Sequence, residues 1–79
     1  MGLAATEKEL ASKTASFLKA ELKRAGVTYA ELARRLEDHG LKETESSIAN
    51  KFSRATISAT LLLATLAALE MEGIRLEEI

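Results

Sequence analysis

The stretch Gly26-Val27-Thr28-Tyr29-Ala30-Glu31-Leu32-Ala33-Arg34-Arg35-Leu36 decides how this chain is read. Gly26 is suited to end a helix in the left-handed conformation that a Cβ disfavours. The pattern then restarts at once. Thr28 and Glu31 stand three apart, the spacing of a capping box, and Val27 can staple against Leu32. Leu32, Ala33 and Leu36 supply the apolar stripe of the next helix, which His39 and Gly40 close, with Leu41 folding back over its last turn. Because only Gly26 and Val27 separate the two helices, they are expected to cross at a sharp angle.

Toward the N-terminus, Thr6-Glu7-Lys8-Glu9 fits another capping box. Behind it Leu10, Thr14, Phe17, Leu18, Leu22 and Ala25 recur at helical spacing, with Lys19 and Lys23 on the opposite face. Toward the C-terminus, Thr44 caps a shorter third helix with Glu45 in its first turn. Its apolar strip is Ile48, Ala49 and Phe52, while Ser46, Ser47, Asn50, Lys51 and Arg54 point elsewhere. A fourth helix is expected over residues 58–72, with Ile57 stapling against Leu62 and Gly73 as the stop. Leu61, Leu62, Leu63, Leu66, Leu69 and Met71 wrap most of its circumference, which places it in the core or against another subunit. Residues 74–79 alternate like a strand but also suit a last helical turn; a strand would need a second copy as its partner.

Seventy-nine residues make one domain, residues 1–79, without room for a deep substrate cleft. The absence of proline and the dominance of Ala, Leu, Glu, Lys and Arg predict an all-α fold of four to five helices. With no cysteine, disulfides and thiolate metal sites are excluded. The lone His39 lacks an orienting partner and no glycine-rich phosphate loop is present, so neither an enzyme, a metal site nor a cofactor is expected.

The net charge of −1 is no signature of a nucleic-acid binder, but it hides a gradient. Residues 1–54 hold ten Lys/Arg against eight Asp/Glu, and residues 55–79 hold Arg75 against four glutamates. There is no secretory pattern, and the apolar run over residues 59–71 is too short to span a bilayer. The start Met1-Gly2-Leu3-Ala4-Ala5-Thr6 matches only the loose myristoylation pattern, without polybasic support. A cytoplasmic protein, without membrane or small-molecule partners, is the expectation.

Two helices joined by a tight glycine turn, then a polar-faced helix, then an apolar one, is the order of a helix-turn-helix domain. The segment from Gly26 to Leu36, with Ile48, the Ile57-Ser58 start and Leu62, Leu66 and Leu69, resembles the lambda-repressor-like, xenobiotic-response-element class of such domains. A closer resemblance is to a family of small bacterial helix-turn-helix proteins of uncharacterised function. It runs through Leu18-Lys19-Ala20-Glu21-Leu22-Lys23-Arg24, Thr28 to Ala33, Glu43-Thr44-Glu45 and Ile48 to Arg54. The turn before the third helix is longer than in repressors and carries Glu37, Asp38 and Glu43; Tyr29 stands where repressors often have a phosphate-gripping glutamine.

These resemblances imply a sequence-specific transcriptional regulator whose partner is double-stranded DNA. The third helix would offer Ser46, Ser47 and Asn50 to base edges, with Asn50 able to pair bidentately with adenine and Lys51 and Arg54 suited to phosphate or guanine. Tyr29, Arg34 and Arg35, with Lys23 and Arg24, would add backbone contacts. About six such contacts would give a salt slope on the order of −5. Leu61, Leu63, Met71, Ile74 and Leu76 are the expected homodimer interface. The same serines and cations also describe an ordinary solvated helix face. The alternative is therefore a helix-turn-helix fold kept as a protein-interaction module, supported by the acidic loop and the apolar fourth helix.

Overall fold

The computed structural model describes residues 6–79. Four helices are arranged in chain order, α1 (Glu7–Ala25), α2 (Tyr29–Glu37), α3 (Glu45–Arg54) and α4 (Ala59–Ala68), before a single 3-10 turn at Leu76–Glu78. The fold is all-α, and no strand occurs among the described residues, so the tail takes the helical-turn alternative. The myristoylation pattern falls on residues 1–5 and Thr6, of which only Thr6 lies within the described residues.

One device starts every α-helix. Thr6, Thr28, Thr44 and Ser58 are extended, and each hydroxyl accepts the amide three residues on, from Glu9, Glu31, Ser47 and Leu61, at 3.0–3.1 Å. One device also ends them. Gly26, Gly40, Ala55 and Glu70 adopt φ of 70°, 81°, 56° and 59°. The next amide then reaches back five residues, Val27 to Leu22, Leu41 to Leu36, Thr56 to Lys51 and Met71 to Leu66, at 2.9–3.1 Å. Each helix is thereby closed by its own neighbouring residues before any tertiary contact is counted.

Leu18 and Leu22 of α1, Leu32 and Leu36 of α2, Ile48 and Phe52 of α3 and Leu61, Ala64, Leu66 and Ala68 of α4 form one buried cluster with Val27. Within it α2 packs against both α3 and α4, and α1 packs against α3. No helix among the described residues is long and apolar enough to cross a membrane.

Two expectations need correction. α4 stops at Ala68, well short of residue 72, because Glu70 turns left-handed and Gly73 is not the stop. The reversal lets Met71 and Ile74 fold back onto the core, so burial of two apolar side chains offsets the strained backbone at Glu70. On α1 the buried stripe is Ala15, Leu18 and Leu22. Leu10 is exposed, and Thr14 is half-buried with its hydroxyl bonded to the Leu10 carbonyl at 2.8 Å.

Candidate nucleic-acid interface

Residues three and four apart share a helix face. On α3 this places Ser46, Asn50, Ser53 and Arg54 together, and all four are exposed. Ile48 and Phe52 hold the opposite face at 0% and 1% exposure. Their grip is reinforced by Tyr29, whose ring meets Phe52 at a centroid distance of 5.3 Å and a tilt of 57°. The helix is thus clamped on one side and hydrophilic on the other.

Not every expected residue reaches that face. Ser47 is used locally. Its hydroxyl accepts the Thr44 amide at 2.9 Å, completing a reciprocal cap, and donates to Glu43 Oε1 at 2.6 Å. Lys51 Nζ donates to the other Glu43 oxygen at 2.6 Å. Burial pushes the Glu43 carboxyl upward, but the hydrogen bonds from Lys51 and Ser47 and the Lys51 charge outweigh it, leaving its pKa below the ordinary range. The Glu43 carboxylate of the acidic turn is therefore charge-paired and drawn inward. It takes Lys51 and Ser47 out of the outward row as it does so.

Ser53 escaped the sequence reading, although its spacing of three from Asn50 and seven from Ser46 marks the same face. Ser46 remains outward, its hydroxyl 3.3 Å from that of Thr44. Arg54 is exposed and unpaired, and Asn50 sits at the centre of the row.

On α2 the cations are also committed. Glu31 does not turn back toward Thr28; both its oxygens face forward. Arg34 meets them at 3.0 and 2.6 Å, and Arg35 Nε reaches Oε2 at 2.9 Å. Arg35 Nη1 also donates to the Ala68 carbonyl at 3.1 Å, satisfying an open acceptor at the end of α4. Arg35 is therefore a tie between α2 and α4, whereas Arg34 stays largely exposed. Tyr29 is half-buried, with its ring against Phe52.

Hydrogen bonds from Arg34 and then Arg35 hold the Glu31 carboxyl at about 2, against an ordinary 4.5. Because the folded value is depressed, its stabilisation is present above about pH 4.5 and is lost as pH falls toward 2. Glu43 acts in the same direction. Thermal unfolding between pH 6 and 2 should show wild type losing more melting temperature than Glu31→Gln, with the two curves converging at the acid end.

The expected interface residues divide by burial. Leu61 is 1% exposed and lies inside the monomer's own core, which leaves it no surface for a second copy. Met71 and Ile74 are half-buried against the same core. Leu63 and Leu76 remain, at 65% and 61% exposure. Among the described residues no group of three or more His, Cys, Asp or Glu side chains is placed to hold a metal ion.

No curated protein and no solved structure matches the chain. The family described as a domain of unknown function (DUF6471) matches residues 10–74, from α1 to the segment beyond α4, and the chain belongs to that family.

Proposed function

We propose that the chain is a small cytoplasmic DNA-binding regulator that reads double-stranded DNA through the outward face of α3, acting as a pair of copies. One observation carries this reading: Ser46, Asn50, Ser53 and Arg54 form an exposed row free of carboxylates, on a helix anchored by two buried side chains. A helix fits the major groove by size, with short hydroxyls allowing close approach. Asn50 has the amide that pairs bidentately with adenine, and Arg54 suits guanine or phosphate. The seven residues between α2 and α3 exceed the turn of three or four residues usual in a helix-turn-helix, but Glu43 in that turn is already neutralised. So small a reader covers few base pairs, and pairing two of them on one site supplies affinity. Leu63, on a helix without a charged residue, and Leu76 are the exposed apolar side chains of the expected interface left for that pairing.

A second reading, an interaction module that binds protein rather than DNA, is favoured by the same exposed Leu63.

The test is fluorescence anisotropy with labelled duplex at low salt, first of mixed sequence and then of sequences selected from a random pool. Wild type should bind mixed duplex with a dissociation constant near micromolar and a selected site more tightly, with two copies per site. Asn50→Ala should lose about 1–3 kcal/mol of preference for that site. Arg54→Ala should weaken binding as well. Absence of binding, or variants indistinguishable from wild type, would overturn the DNA reading, and one copy per site would remove the pairing.

A further inference from the structure

The cations of this chain are unevenly relieved. Among the described residues, five of the eleven Lys/Arg sit in ion pairs: Arg24, Arg34, Arg35, Lys51 and Arg75. Of the six left unpaired, Lys8, Lys13, Lys19 and Lys23 all lie on α1. That helix holds five basic and three acidic residues, whereas residues 69–79 hold one and four. The positive end of the charge gradient is therefore a helix surface, and α1 is packed directly against α3.

Helical geometry sharpens the picture. At 3.6 residues per turn, Lys8, Ser12, Lys19 and Lys23 fall within roughly 60° of one another along one flank of α1. All four are exposed. The run from Lys8 to Lys23 is about 22 Å long, close to the axial span of about seven successive phosphates on one DNA strand. The acidic tail lies along one edge of the strip: Glu78 and Ile79 face a groove lined by Ser12, Lys13, Phe17, Glu21 and Arg24, so the strip meets it at Ser12, while none of its three lysines borders it. Lys19 and Lys23 stand four apart, a like-charge spacing that weakens an isolated helix. Arg24 of the same helix is given a carboxylate partner in Glu21; Lys19 and Lys23 are not. A row of unpaired ammonium groups carried on one helix, with a hydroxyl between them, fits a polyanion with regularly spaced phosphates.

We infer that the Lys8-Ser12-Lys19-Lys23 strip of α1 is the phosphate-docking surface of the chain, gripping the backbone of the duplex whose bases α3 reads. This deepens the function proposed above and rests on it. It also moves the main ionic contacts away from Arg35 and Lys51, which the fold has already paired.

The experiment measures duplex affinity against salt for wild type, the triple variant Lys8→Gln/Lys19→Gln/Lys23→Gln, the control Lys13→Gln/Lys42→Gln, and Asn50→Ala. Circular dichroism checks that each is folded. The triple variant should lower the magnitude of the log–log salt slope by about 2.7 and weaken selected and mixed duplexes equally. The control should keep the wild-type slope, and Asn50→Ala should change sequence preference while leaving the slope intact. A triple variant with the wild-type slope, or a control that loses as much, overturns the strip while α3 still reads DNA. A slope that falls in the triple variant while Asn50→Ala keeps full sequence preference supports the strip and sinks the base-reading role of α3. Wild type that ignores duplex but binds phosphatidylglycerol vesicles at the same salt overturns both.

Discussion

Phe52→Ala should lower the unfolding free energy by about 3–5 kcal/mol. Phe52 is the largest fully buried side chain, 1% exposed, and it joins α3 to the core together with Ile48. Its truncation removes apolar surface from the interior and leaves a cavity among side chains fixed by three other helices, which relax only in part. It also deprives the Tyr29 ring of its tilted partner. A domain of 79 residues has a total stability of about 4–12 kcal/mol, so the loss is a large share of the whole. Urea denaturation followed by circular dichroism should show a sharply lower midpoint, with Phe52→Leu much less affected. A loss below about 1 kcal/mol would mean that α3 is not anchored as described, and the outward row from Ser46 to Arg54 would lose its rigid support.

Thr65→Val should act in the opposite direction, raising stability by about 1–2 kcal/mol. Thr65 is 0% exposed, and its hydroxyl oxygen has no hydrogen-bond partner. A buried hydroxyl without a partner has given up its bonds to water and gained none in return. Valine keeps the branched shape and removes that loss. At roughly 4–8 °C per kcal/mol for a domain of this size, the rise in melting temperature is readily measured. Thr60→Val, on the exposed side of the same helix, is the control and should change little. A destabilised Thr65→Val would show that the hydroxyl has a partner in solution.

Much of the fold could be read from short-range spacing. Thr28 and Glu31, Thr44 and Glu45, Ser58 and the run behind it mark helix starts, and Gly26 and Gly40 mark helix ends. These signals are legible because a capping hydroxyl and its amide are three residues apart. Ala55 and Glu70 are not legible in this way. A left-handed alanine or glutamate carries no local advantage and is held by the residues after it, for Glu70 by the return of Met71 and Ile74 to the core.

On α3 the sequence shows which side is buried but not which polar groups are paired, for a similar reason. Alternation of polar and apolar residues along α3 separates Ile48 and Phe52 from the hydrophilic side, and that division holds. Which polar residues stay free depends on partners beyond one helical turn: Glu43 eight residues before Lys51, and Ala68 thirty-three residues after Arg35.

By itself, then, the sequence determined the all-α class, the starts of the four helices, the buried face of α3 and membership in a family of small domains. Tertiary structure alone decided the orientation of α4. Residues 59–69 carry no charge, so no contrast in polarity along the helix tells one side from another. Leu61 is inside and Leu63 outside only because α2 packs across one face of that helix and nothing among the described residues covers the other.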